Sequence, residues 1–186
     1  MDRNQGRALS GVNSPALSLR LLRGDAAETA ALQNVLESAH HYYEAVFGAP
    51  PGPDEAQSLF ASLPPGKDGQ DKYVWGLYAG VALVGCADVI RGYPVSNKAV
   101  IGLLLLGASW QGHGLGRQFA GMIEGAIGEW REILHLRIGV ALTNPRALAF
   151  WQRVGFVATG EVKFAEPGHI RVTVLEKPVA GTRAHE

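Results

Sequence analysis

Residues 111–116 read Gln-Gly-His-Gly-Leu-Gly, between the apolar run Ala99–Ala108 and a helical pattern that follows. A strand, a glycine-rich turn and a helix in that order make an anion site. The first N–H groups of a helix lack intrahelical acceptors and carry the positive end of its dipole, which suits phosphate oxygens. Gly112, Gly114 and Gly116 remove side chains that would hold a pyrophosphate off the backbone, and they permit positive φ. The spacing excludes two common phosphate binders. A dinucleotide fingerprint needs G-x-G-x-x-G and an acidic residue about 20 positions later; here the glycines run G-x-G-x-G, and the next strand candidate, Ile133–Leu142, contains no Asp or Glu. A nucleotide P-loop ends in Gly-Lys-Ser/Thr, which Gly116-Arg117-Gln118 does not supply.

What remains is Q-x-x-G-x-G at Gln111, Gly114 and Gly116. Downstream, Asn144-Pro145-Arg146-Ala147 opens a segment that closes in Val154-Gly155-Phe156. Asn144 suits an N-cap, Pro145 the first helical position and Gly155 the C′ position, while Leu148, Trp151 and Val154 share one face. Together, over roughly Leu17 to Pro178, the two motifs resemble the GNAT (GCN5-related) N-acetyltransferase superfamily. The resemblance implies an α/β (α+β) single-domain fold, a mixed and mostly antiparallel sheet of about seven strands with helices on both faces, whose fourth and fifth strands splay around the pantetheine arm of acetyl-CoA. Carried over by position, the backbone of Leu104, Leu105 and Leu106 would meet the pantetheine amides. Gln111, Gly112, His113, Gly114, Leu115, Gly116 and Arg117 would form the pyrophosphate loop, with Arg117 available for a charge-assisted phosphate contact. Asn144 would touch the pantetheine end. The implied reaction is direct transfer of an acetyl group to a primary amine of a small molecule or peptide, with N–H groups near Leu105 and Leu106 holding the oxyanion. A non-catalytic acyl-CoA-binding or sensing module is the alternative.

The departures from the family pattern bear on the chemistry. Where many relatives carry a tyrosine that protonates the departing thiolate, this chain has Trp151. An indole N–H donates a hydrogen bond but is no usable acid near neutral pH. Trp151 is therefore expected to wall the channel, and either another group protonates the sulfur or the thiolate, a fair leaving group at a thiol pKa of about 8.5, departs without an acid. The strand before the loop also lacks the carboxylate that some relatives use as a base. The base must come from elsewhere, and Asp88 is the candidate, because a carboxylate inside the apolar strand Val81–Ile90 is costly unless paired or functional. Arg91 is its expected partner and a clamp for a substrate carboxylate, with Tyr93 as a nearby phenol. On the first long helix Tyr43 lies on the apolar stripe, which leaves Tyr42 and Glu44 to line a substrate pocket. Adjacent histidines on a helix point about 100° apart, so His40 and His41 argue against a two-histidine metal site, and no metal is expected. Cys86 reads as packing. His169 and Arg171 share a strand face at the edge of the site.

These residues need elements to hold them. Leu17–Leu22 reads as a strand; Asp25 and Glu28 cap a helix running to Gly48; residues 49–72 hold half of the ten prolines and read as a lid with one short helix. Tyr73–Tyr78 with Val81–Arg91 forms a hairpin, Lys98–Leu106 is the next strand, and Phe119, Met122, Ile123, Ala126, Ile127 and Trp130 give the following helix its apolar face. Phe156–Phe164 and His169–Glu176 close the sheet around a turn at Glu166-Pro167-Gly168. Within 186 residues this makes one domain, 16–178, between flexible segments 1–15 and 179–186. Equal counts of 17 acidic and 17 basic residues give no field to recruit nucleic acid or anionic lipid. One cysteine permits no internal disulfide, and neither a secretory signal nor a membrane span is apparent. A cytoplasmic protein is the expectation, and a homodimer is compatible with it.

Overall fold

The computed structural model describes residues 16–165 and 170–179. Seven strands form one sheet in the order β1-β2-β3-β4-β5-β7-β6: β1 Leu17–Leu21, β2 Lys72–Ala79, β3 Ala82–Arg91, β4 Lys98–Leu106, β5 His135–Ala141, β6 Val157–Ala165 and β7 Ile170–Pro178. All neighbours are antiparallel except β4 and β5. A parallel pair requires a crossover, which α4 (Leu115–Gly128) supplies. Alternation along the strands divides the core into two layers. Ala87, Val89, Ala99, Ile101, Leu136 and Ile138 face Phe119, Ile123 and Ile127 of α4 and Trp151 of α5 (Pro145–Arg153). On the opposite face Val74, Cys86 and Leu105 meet Leu32 and Leu36 of α1 (Ala26–Ser38), Tyr43 of α2 (His40–Phe47) and Ala56 of α3 (Glu55–Ala61). The core runs on past Pro178 to Val179, whose N–H donates to the Leu134 carbonyl at 2.9 Å.

Two expectations about the elements change. The single helix from Asp25 to Gly48 is two, broken at Ala39, which has left helical geometry (φ −94°, ψ 27°) while its N–H still serves α1. The apolar stripe runs through the break because Ala39 and Tyr43 both stay in the core, so periodicity alone could not reveal it. The proline-rich segment is tied down instead of hanging free as a lid. Gln33 of α1 donates to the Gly52 carbonyl at 2.8 Å and accepts from the Ala56 N–H at 2.9 Å, and Lys72 Nζ donates to the Ser62 carbonyl at 2.7 Å. Asp25 caps α1 as expected, its Oδ1 accepting from the Glu28 N–H, while the Glu28 carboxylate reaches past the N-cap to the N–H groups of Arg23 and Gly24. The turn at 166–168, His169 and the segments 1–15 and 180–186 lie outside the described residues.

Candidate active site

The pairing of β4 with β5 runs only from Lys98↔His135 to Ile101↔Ile138, although both strands continue. From Gly102 to Leu106 β4 has lost β5, though Leu103–Leu106 keep their β3 partners, leaving about 13 Å of strand edge open at a rise of about 3.3 Å per residue. The cause is local. Across β3, Asp88 pairs with Leu103 and Val89 with Ile101, so Gly102 is the extra residue of a β-bulge, which bends the strand and ends its parallel pairing. Gly139, the next residue of β5, is exposed like Gly102, so the apex of the opening has no side chain on either strand.

The glycine-rich loop lies between the unpaired end of β4 at Leu106 and the start of α4 at Leu115. Gly112 (φ +81°) and Gly114 (φ +77°) adopt the left-handed backbone, and nothing lies within 4 Å of where either Cβ would be. Gly114 is the N-cap of α4, and the N–H groups of Gly112, His113, Gly114, Leu115 and Gly116 find no acceptor among the described residues. That is a cradle of donors at a helix N-terminus. Three of the expected loop residues have other duties. The Arg117 N–H turns back to the Gly114 carbonyl at 3.2 Å, which leaves its side chain for a ligand. Gln111 Nε2 donates to the Leu106 carbonyl at 2.7 Å and pins the loop to the end of β4. Gly116 lies close under α5: a Cβ there would stand 3.3 Å from the Phe150 ring, which would have to give by a few tenths of an ångström. Asn144 caps α5 as the sequence implies, its Oδ1 accepting from the Ala147 N–H at 3.0 Å. Trp151 is buried on the α4 side of the sheet, edge-to-face with Phe150 at 5.1 Å and with Phe156 at 5.0 Å.

Asp88 lies on the opposite side, on the α1 face of β3. Its partner is not Arg91 but Lys72, whose Nζ stands 2.9 Å from Oδ1. Residues three apart on a strand face opposite ways, so Arg91 turns to the α4 face, pairing with Glu132 and covering the Trp130 ring. Arg91 and Tyr93 share a shallow surface pocket with Lys67, Asp71 and Glu132. Arg91 pairs with Ala99, seven residues or about 23 Å of strand from Leu106, so that pocket is remote from the loop. Burial pushes the Asp88 carboxyl above its ordinary range, with Lys72 opposing. Burial likewise pushes the Cys86 thiol up to about 12, which fits packing and not nucleophilic chemistry. Tyr42 packs against the α1-side core, its hydroxyl pushed up to about 12 chiefly by burial, with Cys86 and Glu55 adding. Glu44 is exposed beside His41 (3.5 Å). The histidines do not diverge as helical geometry suggests: the rings of half-buried His40 and exposed His41 fold together with centroids 4.0 Å apart, and ligand atoms of His40, His41 and Glu44 lie within 4.8 Å of one another. The divergence of about 100° between neighbouring helical side chains is therefore not realised at this helix start, and the two imidazoles are within reach of one cation. Arg171 is exposed. Sequence reasoning missed Lys72 and the Gly102–Gly139 apex, since both depend on which strands become neighbours.

A model of the acetyltransferase (GNAT) family matches residues 32–156, two thirds of the chain. The chain belongs to the GNAT acetyltransferase family. An acetyltransferase from Thermus thermophilus superposes with a TM-score of 0.67 at 26% identity, covering 88% of this chain and 99% of that one. The fold is also that of spermidine N-acetyltransferase from Vibrio cholerae, solved with CoA and spermine (TM-score 0.67, 16% identity, 88% and 96% covered). An aminoglycoside acetyltransferase solved with coenzyme A gives a TM-score of 0.69 at 17% identity over 88% and 95%. No curated protein sequence matches. As in the sequence reading, this GNAT enzyme has a mostly antiparallel seven-stranded sheet, and none of its described helices is long and apolar enough to cross a membrane.

Proposed function

We propose that this GNAT enzyme transfers the acetyl group of acetyl-CoA to a primary amine of a small molecule or peptide by direct attack. The carrying observation is a sequence of two features: β4 ends in an edge that β5 leaves unpaired, and the loop that follows, tied to that end by Gln111, leads into α4 with five N–H groups, 112–116, that have no acceptor among the described residues. A pyrophosphate suits the donors, and the pantetheine amides suit the free edge as a further strand would. Gly112, His113, Gly114, Leu115 and Gly116 hold the diphosphate through backbone groups, and the Arg117 side chain adds a charge-assisted contact. Leu104, Leu105 and Asn144 line the arm, while Gln111 fixes the loop and occupies the Leu106 carbonyl. N–H groups of the open β4 edge stabilise the oxyanion as the amine adds to the thioester carbonyl. Trp151 fills space behind the arm and supplies no proton. The solved relatives named for spermidine and for aminoglycosides support an amine acceptor.

Thiol release from acetyl-CoA, followed with ethanolamine, spermidine, an aminoglycoside and an alanyl peptide, tests the reading. Amine-dependent release supports it. Tight coenzyme A binding with no release for any amine would favour a binding or sensing module.

A further inference from the structure

β4 offers no carboxylate to the opening, yet the structure brings one there from the neighbouring strand. A Cβ on Gly102 would lie 3.2 Å from Asp88 Oδ2, so the carboxylate occupies the space a β4 side chain would fill at the apex. The bulge puts Gly102 and Leu103 opposite Asp88, so this carboxylate lies beside the residue that directly follows the last β4–β5 pair. The two carboxylate oxygens have different neighbours. Oδ1 faces Lys72 Nζ at 2.9 Å, and Oδ2 faces the exposed backbone of Gly102. Lys72 is itself fixed, nearly fully buried and donating to the Ser62 carbonyl at 2.7 Å. A buried ion pair is a costly way to stabilise a sheet, since an apolar pair of similar volume often serves as well or better. Its position at the apex gives it a use.

We propose that Asp88 is the proton acceptor of the transfer reaction, delivered from β3 into the slot that Gly102 leaves open on β4, with Lys72 as its positioning residue. The inference rests on the acetyltransferase reading above. An acceptor that arrives as an ammonium gives one proton to Asp88 Oδ2. The neutral nitrogen attacks the thioester carbonyl carbon, the C–N bond forms and the C–S bond breaks. The nitrogen's second proton passes to the departing thiolate, and Asp88 returns its proton to solvent. Besides Lys72 from β2, the titratable groups on this side are Cys86 of the same strand, Tyr42 and Tyr43 from α2 and Glu55 from α3; β4 contributes only Gly102 and Leu103. Lys72 is the one cation among them and favours the carboxylate form.

The test follows kcat/KM against pH for the four amines named above, with hydroxylamine as a nucleophile already neutral near pH 7. With the alkylamines, wild type is expected to rise through one ionisation and level off well below the amine's own pKa of about 10, whereas the peptide α-amino group, with a pKa of about 8, gives a narrower gap. Asp88→Asn should lose about a hundredfold for alkylamines, and its remaining rate should track the neutral amine in solution, while hydroxylamine is much less affected. Lys72→Met should move the rising limb to higher pH, which a merely structural lysine would not do. Because Asp88→Asn leaves a buried ammonium without its counter-charge, Lys72→Met/Asp88→Asn is made in parallel and coenzyme A affinity is measured by calorimetry on each. In Asp88→Ala/Gly102→Asp, the carboxylate is moved to β4 and should restore part of the limb. An active wild type with an unchanged limb and near-normal kcat/KM in folded Asp88→Asn overturns the inference and leaves the acetyltransferase reading intact. A wild type that releases no thiol with any amine overturns both.

Discussion

Replacing Trp151 separates a wall from a proton donor. The side chain is 8% exposed and stacks edge-to-face on Phe150 and Phe156, so Trp151→Ala empties a large aromatic site in the α4-side core. Such truncations cost about 3–5 kcal/mol. For a chain of this length each kcal/mol moves the melting midpoint by about 2–4 °C, so the Ala variant should melt roughly 6–20 °C below wild type. Trp151→Phe keeps a ring for both edge contacts and should lose much less. If the side chain only fills space, the Phe variant retains most of kcat, because neither ring can protonate a thiolate. Thermal melts establish folding, and steady-state thiol release with the best amine gives kcat and the KM for acetyl-CoA. A folded Phe variant with kcat down by about a hundredfold would mean that the indole N–H makes a transition-state contact, and the wall would be the wrong account.

Gly112→Ala and Gly114→Ala place a Cβ on left-handed backbone and should each cost about 1–2 kcal/mol, whereas Gly121→Ala, on an exposed helical position with open space around it, should be neutral or stabilising; chemical denaturation compares the three. Burial pushes the Glu176 carboxyl up, but hydrogen bonds from Lys98 and Arg137 outweigh it and hold it below the ordinary carboxylate range. Its stabilisation is therefore complete above that range and is lost as pH falls through the depressed value, so the melting gap between wild type and Glu176→Gln should be open at pH 7 and close in acid. Gln33→Ala removes the two hydrogen bonds that tie 52–56 to α1, and hydrogen exchange at Ala56 should quicken while β3 and β4 remain protected.

Local chemistry made most of the fold legible. Alternation, turn glycines and the apolar stripe of α4 placed the strands and their faces, because each signal lies within a few residues of what it specifies. The glycine turn was legible for the same reason: of the three glycines that the sequence offers for positive φ, the backbone uses 112 and 114 and leaves 116 helical. Failures occurred where neighbours in space decide the outcome. Asp88 and Arg91 are close in sequence but face opposite sides of β3, and the true partner, Lys72, lies across the β2–β3 hairpin with Val74 facing Asp88 between them. Gly116 also lies against the Phe150 ring of another helix, a second demand on that glycine which its own loop does not reveal. The break at Ala39 was hidden because the apolar period survives it. The apex of the opening combines glycines far apart in the chain, and only the register of β4 against β5 brings Gly102 and Gly139 together.

Calorimetric titration of coenzyme A into wild type and Gly114→Asp tests the assignment of this loop most directly. The substitution puts a side chain and a negative charge on left-handed backbone within a run of five N–H groups that have no acceptor among the described residues, so a diphosphate held there should bind the variant at least roughly tenfold more weakly while the Gly121→Ala control binds as wild type does. Equal affinity of wild type and a folded Gly114→Asp for coenzyme A would contradict the assignment of the diphosphate to the start of α4.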